Sequence, residues 1–329
     1  MTALVILRAG PACTIQDAGR RGYLRFGVTP AGPMDWIAHQ TANLLAGNDP
    51  GAAAIEIGPG GMTVTAQDGP LRLGISARGF RLRRGGSDLP TRIALTLQPG
   101  VRLEIAPGSA QQWAYLTLAG GFDEPLVMGS HATHLRSALG PFGGKALTDG
   151  QVLPAFVAAT DADERALPVP PLSDTGPIRF IAGPQDDYFT AEAMATFASG
   201  PYRIAPRSDR MAYRLQGPVL THAKGHDILS DGIALGAIQV PGDGLPLVLM
   251  ADRQPTGGYP KIGTVIRADL PRLAQMRPGQ TVRFIPVTVD AAVDALRAAI
   301  PDAARLRAAS RIIRYVRGLG PVRSDQSAG

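Results

Sequence analysis

The chain has 329 residues, 45% of them hydrophobic and 18% charged, which suits about two globular domains and excludes a disordered chain. The formal net charge is +6, but all except three of the 33 basic residues are arginines and no basic run contains interleaved aromatics, so nucleic-acid binding is not indicated. One cysteine excludes a disulfide framework, and the lack of a secretory leader or an apolar run of membrane length leads us to expect a cytoplasmic protein that does not enter a membrane.

The first half of the chain is predicted to be a β-barrel or sandwich. An opening strand over 3–8 and a glycine-rich connection precede a helix from Pro33 to Leu45, with Gly47 as its stop. From about Ala53 to Pro154 the pattern is one of short strands separated by turn residues, such as "AAIEIG", "LRLGIS" and "VRLEIA". We place the first domain at 1–160.

An acidic, proline-rich stretch predicts a linker at 161–177, followed by a second β-rich domain at 178–288. That domain opens with the strand "IRFIAG" and a helix near 190–198, capped by Thr190. The echo between "LQPGVRLEIAP" and "MRPGQTVRFIPV" favours two similar domains. Ala, Leu, Ile and Arg then alternate at helical spacing, which predicts a helical C-terminal extension over 289–329.

The most polar turn of the chain lies in "GLPLVLMADRQPTGGYPKIGTVI", residues 244–266. A buried strand is followed by a cluster of polar side chains: Asp252, Arg253, Gln254, Thr256, Tyr259 and Lys261. Ordinary turn chemistry, with glycines at positive φ, explains such a segment about as well as a binding site does. Three features favour the site: the Gly257-Gly258 pair can bring backbone N–H groups close to an anion, Arg253 offers a planar fork, and Lys261 is a rare lysine.

Three other polar clusters have simple structural explanations beside functional ones. In "SDRMAYRLQGP", Asp209 and Arg210 can form a surface ion pair. In "ILSDGIALGAIQVPGDG", Asp231 follows a short apolar run and Asp243 lies in a Gly-Asp-Gly turn, so turn chemistry alone can explain both. The third cluster, "TIQDAGRRGYLRFGVTPAGPMD", alternates in charge around glycines, and its Asp35 suits the start of a helix.

Several familiar motifs are incomplete. "GPFGGKA" resembles a phosphate loop, but Leu139 and Ala146 replace the first glycine and the Ser/Thr that such a loop requires. The histidine pairs 131/134 and 222/226 lack an evident third ligand, so we predict no metal site in the chain.

Taken together, "GVTPAGPMD", "SDRMAYRLQGP", "ILSDGIALGAIQVPGDGLPLVLMADRQPTGGYPKI" and "ADLPRLAQMRPG" resemble the KipA-like, or PxpC, family over roughly residues 3–287, which supplies the C-type subunit of 5-oxoprolinase. That family is similar to the A and B subdomains of the carboxyltransferase part of urea carboxylase. The resemblance implies a mainly β fold of two cyclophilin-like β-barrel domains in tandem with a few short helices. It also implies a KipI-like B-type partner and a LamB/YcsF-like A-type partner, in a complex that opens 5-oxoproline to glutamate with ATP.

Two departures from the family pattern lie in the first half and one in the polar turn. Arg78 stands where an acid is common, and "GSHATHLRSALGPFGGKAL" is looser than the usual serine-arginine-serine stretch, while Pro255 replaces a common Thr. The alternatives are carboxyl transfer from carboxybiotin to a small amide such as urea, with biotin on a separate carrier, and a non-catalytic KipA-type partner of a kinase inhibitor. ATP is expected at the level of the complex because the chain has no Walker loop.

Opening an amide or lactam requires groups that hold the substrate, stabilise developing charge and manage a proton. From residue type and clustering we predict catalytic roles for Asp252, Lys261 and Asp231. The predicted substrate- or anion-binding residues are Arg253, Gln254, Thr256, Gly257, Gly258, Tyr259, Arg210, Asp209 and Gln239.

Overall fold

The computed structural model describes residues 2–108, 111–156, 162–168, 176–316 and 320–323, with backbone alone for 314–316 and 320–323. The fold is mainly β with a few short helices, as expected. The first twelve strands are β1 (Ala3–Ala9), β2 (Thr14–Gln16), β3 (Ala54–Ile57), β4 (Met62–Gln67), β5 (Leu71–Ser76), β6 (Arg81–Arg84), β7 (Ser87–Leu89), β8 (Arg92–Leu97), β9 (Leu103–Ala106), β10 (Ala114–Leu118), β11 (Val152–Pro154) and β12 (Arg165–Ala166).

The remaining strands are β13 (Ile178–Ala182), β14 (Tyr202–Ile204), β15 (Ala212–Gln216), β16 (Asp231–Gly232), β17 (Ala237–Gln239), β18 (Leu247–Leu249), β19 (Thr256–Gly257), β20 (Lys261–Val265), β21 (Thr281–Val282), β22 (Phe284–Pro286), β23 (Arg311–Val316) and β24 (Gly320–Arg323). The helices are α1 (Trp36–Ala46), α2 (Pro141–Gly144), α3 (Ala191–Ser199), α4 (Leu270–Ala274), α5 (Val289–Ala299) and α6 (Ala303–Ala309). Single 3₁₀ turns occur at Leu24–Phe26, Leu135–Ser137 and Asp186–Tyr188. No helix of the described residues combines the length and the apolar character needed to cross a membrane.

The chain divides into two compact units that are not consecutive in sequence. The first unit contains Met1–Gly19, Trp36–Leu172 and Pro301–Gly329, and the second contains Arg20–Asp35 and Ser173–Ile300. The domain boundaries predicted from the sequence divide the chain into consecutive segments. They therefore miss that residues 20–35 belong to the second unit and that residues 301–329 belong to the first. A glycine-rich connection has no periodicity that would show which unit it joins, so only its packing assigns residues 20–35 to the second unit.

The first unit is built from a six-stranded and an eight-stranded sheet. Their inward side chains form one apolar core, to which Leu4 and Val64 contribute from one sheet and Leu73 and Leu116 from the other. Helix α1 packs on β5 and β10. Gly74 permits this approach, because a Cβ at that position would lie 2.1 Å from the Ala42 carbonyl oxygen.

The second unit is organised around an eight-stranded sheet in the order β21-β14-β15-β18-β17-β20-β13-β22. The two end strands, β21 and β22, are separated along the chain by Arg283 alone, so the sheet curls until its two ends nearly meet. Inside, Phe197 of α3 stacks on Phe284 with ring centroids 4.7 Å apart and meets Phe180 edge-on at 5.1 Å. Aromatic packing of this kind fixes α3 against the sheet.

Two helix predictions have different outcomes. The helix near 190–198 is confirmed, and the Thr190 hydroxyl caps it by accepting a hydrogen bond from Ala193 N–H at 3.1 Å. The earlier helix begins at Trp36 and not at Pro33. It ends as predicted before Gly47, whose φ is +82°.

The linker and the C-terminal extension differ from their predictions. Within 161–177, Arg165 and Ala166 form β12, which pairs with β8, while residues 161 and 169–175 lie outside the described residues. Helices α5 and α6 are confirmed as helical, but the prediction of helix is wrong for residues 311–316 and 320–323, which are strands, and residues 317–319 and 324–329 lie outside the described residues. Residues 311–316 form β23, which pairs with β12, and the β-branched run Ile312-Ile313 suits a strand better than a helix.

Candidate functional site

The polar turn predicted from the sequence joins β18 to β20 in the second unit. Its middle forms the short strand β19, which pairs with β16 so that Gly257 lies opposite Asp231. On the neighbouring ladder, Gln239 of β17 lies opposite Lys261 of β20. Segments that are up to 30 residues apart in the chain therefore bring these four predicted residues into one cluster.

A buried ion pair lies at the start of this turn. Arg210 donates from Nε to Asp252 Oδ2 at 2.9 Å and from Nη2 to Asp252 Oδ1 at 2.8 Å. Nη2 also donates to the Gly32 carbonyl oxygen at 2.8 Å, which ties residues 20–35 to the turn. Both side chains are buried. Because the pair engages both Asp252 oxygens, we favour a structural role for it over the catalytic and carboxylate-binding roles expected from the sequence.

Arg253, the next residue, is a buried cation with an incomplete set of partners. Its side chain donates from Nε to the Ile233 carbonyl oxygen at 3.0 Å, and within the described residues its terminal guanidinium nitrogens have no acceptor. Burial lowers the pKa of Arg253 to about 10, and the nearby Asp252 carboxylate only partly offsets that effect. Only 8% of the residue is exposed. The two terminal nitrogens are not among the fully buried atoms that lack a partner, so they reach solvent and can receive an anion.

Lys261 and Asp231 form a second ion pair, in which the lysine is buried and the aspartate is exposed. Lys261 Nζ donates to Asp231 Oδ2 at 3.0 Å, and this is its one acceptor among the described residues. The lysine is 3% exposed, whereas the carboxylate side chain is 55% exposed. The hydrogen bond from Lys261 is the main cause that holds the pKa of Asp231 below its usual value, and the Gly232 N–H adds to it. The pair therefore presents an ionised carboxylate to solvent above a buried ammonium.

Gly257 is needed for space, and neither glycine of the turn is needed for positive φ. Neither Gly257 nor Gly258 has a left-handed backbone, so the expectation of positive φ there is wrong. A Cβ on Gly257 would lie 2.7 Å from Ile233 Cδ1 and 2.8 Å from Gln239 Nε2. At Gly258 the nearest atom would be the Ile228 carbonyl oxygen at 3.3 Å. Gly257 thus leaves room beside β19 for the ends of the Ile233 and Gln239 side chains.

The other predicted residues occupy different positions around the cluster. Asp209 stabilises its own turn, since its Oδ1 accepts hydrogen bonds from Met211 and Ala212 N–H groups at 2.8 and 3.1 Å. Gln239 is buried and donates weakly to the Tyr259 carbonyl oxygen at 3.4 Å. Thr256 and Tyr259 are exposed on the surface of the turn.

One more buried polar atom belongs to the turn, and one contact was not expected from the sequence. Gln254 Oε1 is buried and has no hydrogen-bond partner among the described residues. Gln185 Oε1 accepts a hydrogen bond from the Lys261 backbone N–H at 3.3 Å. The two residues are 76 positions apart, and "GPQDDY" carries no motif that would have connected them.

One histidine of each incomplete metal motif makes an ordinary contact, whereas the buried His134 Nε2 has no hydrogen-bond partner among the described residues. His131 Nε2 lies 2.7 Å from the Glu124 carbonyl oxygen and His222 Nε2 lies 3.0 Å from that of Val240, as expected for loop histidines. Within the described ranges, no three potential metal-ligating side chains come together. A cleft of about 920 Å³ lies in the first unit between the end of α1 and α6, and none of the predicted site residues lines it.

Comparison with known proteins agrees with the architecture. Residues 26–286 match the family model described as carboxyltransferase domain, subdomain A and B. The chain is 38% identical to the C-type subunit of Escherichia coli 5-oxoprolinase over 89% of its own length and 94% of that protein. It is 29% identical to the urea amidolyase of Saccharomyces cerevisiae over 88% of its length, but that match covers only 17% of the yeast protein. The crystal structure of Kluyveromyces lactis urea carboxylase superposes with a TM-score of 0.82 at 27% identity, covering 90% of this chain and 28% of that one.

Proposed function

The chain belongs to the carboxyltransferase domain family of subdomain A and B type, and we propose that it is the C-type subunit of an ATP-dependent 5-oxoprolinase complex. In this proposal it acts with KipI-like and LamB/YcsF-like subunits to open 5-oxo-L-proline to L-glutamate. Support comes from the C-type 5-oxoprolinase subunit of Escherichia coli, to which the chain is similar over nearly its whole length.

The observation that carries the proposal is the unfilled donor set of Arg253. Its neighbour Arg210 already has a carboxylate partner, whereas Arg253 is buried with only one of its nitrogens bonded to a described residue. Arg210 and Lys261 are each paired with a carboxylate, Asp252 and Asp231, whereas the charge of Arg253 has no carboxylate partner among the described residues. A monoanionic ligand would balance that charge.

This charge balance favours a carboxylate-bearing substrate over a neutral one. The lactam 5-oxoproline carries a carboxylate that the guanidinium of Arg253 could bind through two parallel hydrogen bonds, whereas urea is uncharged. In this proposal Lys261 would stabilise the negative charge that develops on the reacting group. Asp231, ionised and half exposed, can accept a hydrogen bond from the lactam N–H.

ATP would transfer its terminal phosphoryl group to the lactam oxygen and leave as ADP. Water would then add to the activated carbonyl carbon and the ring C–N bond would break to give an acyl phosphate, which a second water would hydrolyse to glutamate and phosphate. We assign ATP binding to the complex, since the segment "GPFGGKA" lacks two residues of a phosphate loop. A carboxyltransferase that accepts biotin on a separate carrier is the second candidate because the urea-processing relatives share the fold. Its transition state calls for similar cations and amides.

Reconstitution separates these functions. The full chain is assembled with its B-type and A-type partners, and glutamate release from 5-oxoproline is measured with and without ATP. ATP-dependent glutamate release is the expected result. Avidin-sensitive, bicarbonate-dependent turnover of urea would replace this proposal with carboxyl transfer, and tight partner binding without turnover would replace it with a regulatory role.

A further inference from the structure

The ladder between β17 and β20 shifts its register beside Lys261. Ile238 pairs with Gly263, but the next residue, Gln239, pairs with Lys261, so Ile262 is an extra residue on β20. Such a bulge bends a strand and changes the direction of the side chains next to it. The direction of the Lys261 side chain thus depends on the bulge. A bulge also leaves some backbone groups of the strand without hydrogen-bond partners in the ladder.

A turn that follows β13 supplies those partners. Gly183 N–H donates to the Ile262 carbonyl oxygen at 3.1 Å, and Gln185 Oε1 accepts from Lys261 N–H at 3.3 Å. The turn lies very close to the bulge, because a Cβ on Gly183 would be 2.0 Å from the Lys261 carbonyl oxygen. A side chain here completes the hydrogen bonding that a regular strand would have provided.

We propose that Gln185 is a positioning residue that holds the bulged backbone of Lys261, and through it directs the Lys261 ammonium to Asp231. The geometry has two further supports. The ammonium is buried, so a backbone rotation that moved it away from Asp231 would leave its charge without a partner and without water. The side chain of Gln185 also contributes to lowering the pKa of Asp231, after the larger effects of Lys261 and of the Gly232 N–H.

The positioning role concerns the resting protein and needs no substrate. Only its consequence for turnover rests on the proposed function. If Lys261 stabilises charge in the transition state, releasing it lowers kcat while KM for 5-oxoproline, which depends on Arg253, stays the same.

The small number of lysines makes the test direct. The chain has three, and the exposed Lys145 serves as the internal standard, whereas Lys224 pairs with Asp187, two residues after Gln185, and is not used for normalisation. The full chain is treated with trace acetic anhydride, and acetylation of each lysine is read by mass spectrometry. In the unaltered protein Lys261 should react least. Gln185→Leu removes the acceptor and should raise the relative labelling of Lys261 about tenfold, the change expected when one hydrogen bond of this kind is lost.

Three further variants control the test. Gln185→Glu keeps an acceptor for the Lys261 N–H and should preserve the protection, while Gln216→Leu changes an exposed glutamine of β15 and should have no effect. Should Gln185→Leu fail to fold, Gln185→Asn places its acceptor one methylene short and tests the same bond. Unchanged Lys261 labelling in a folded Gln185 variant overturns the proposal. Increased labelling in a protein that never turns over 5-oxoproline supports the positioning role and rejects the proposed function.

Discussion

Arg210 and Asp252 meet in a buried, two-point ion pair, with donor–acceptor distances of 2.9 and 2.8 Å. The residue that follows, Arg253, has no carboxylate partner among the described residues, although it is equally buried. Two consecutive residues of one turn therefore have different roles. Asp252 is an anion that Arg210 already neutralises, whereas Arg253 is a cation whose terminal nitrogens are available to an anionic ligand.

Asp252→Ala should destabilise the protein by about 3–5 kcal/mol, because it leaves the Arg210 guanidinium buried without its carboxylate. Chemical denaturation measures this loss. The matched control is Asp294→Ala, which removes an exposed ion pair with Arg297 and should cost less than about 1 kcal/mol. The double change Arg210→Met with Asp252→Leu should recover much of the loss. Equal small effects for the buried and the exposed pair would show that the buried pair is not structural.

Lys261→Met should change how stability depends on pH. The folded pKa of Asp231 lies below its ordinary value of 3.8, so the ion pair adds stability that is fully present above that value. That contribution is lost as the pH falls through the folded pKa. The unfolding free energy of the unaltered protein should therefore fall more steeply below about pH 4 than that of the variant. Parallel curves at acid pH would mean that Lys261 does not hold the carboxylate.

Gly257→Ala and Gly258→Ala form a matched pair of single-methyl changes. The new methyl at 257 would press on the ends of the Ile233 and Gln239 side chains, so those side chains must move, at a cost of about 1–3 kcal/mol. The methyl at 258 meets its nearest neighbour at 3.3 Å and should cost less. Thermal denaturation compares the two. A larger loss for Gly258→Ala would contradict the packing described for β19.

Ile313→Asp should destabilise the first unit. Ile313 lies on β23, packs against the core of that unit, and donates its N–H to the Glu164 carbonyl oxygen at 2.9 Å. A carboxyl group at this partly buried position loses the apolar packing and is poorly solvated, so the variant should be destabilised by at least about 1–3 kcal/mol, the cost of an unpaired polar group. Arg311→Ser, at an exposed position of the same strand, is the control. If both variants melt like the unaltered protein, β23 contributes nothing to the stability of the unit.

Residue type and local spacing predict that polar side chains gather in this turn, but they do not predict the connections around it. The change from buried strand to polar turn is the signal that singles out Arg253 and Lys261 as candidates. The pairing of Arg210 with Asp252 spans 42 residues and depends on how β15 and β18 align, which no local pattern records. The same limit explains the missed role of Gln185.

The C-terminal extension shows a different kind of error. Spacing of apolar residues at three and four positions favoured helix throughout, and it holds for α5 and α6. In "SRIIRYV" the β-branched residues favour a strand, and this segment pairs with the free edge of β12 as β23. Tertiary pairing thus overrides a periodicity that is locally ambiguous.

The most direct measurement compares kcat/KM of the assembled complex for 5-oxoproline and for 2-pyrrolidinone, the same lactam without its carboxylate, using the unaltered chain and Arg253→Leu. If Arg253 binds the substrate carboxylate, the variant should lose about 100-fold with 5-oxoproline, as expected for a charged hydrogen-bonded contact, and change little with 2-pyrrolidinone. An equal response of the two lactams, or no loss with 5-oxoproline, would contradict the assignment of Arg253 as the anion-binding residue.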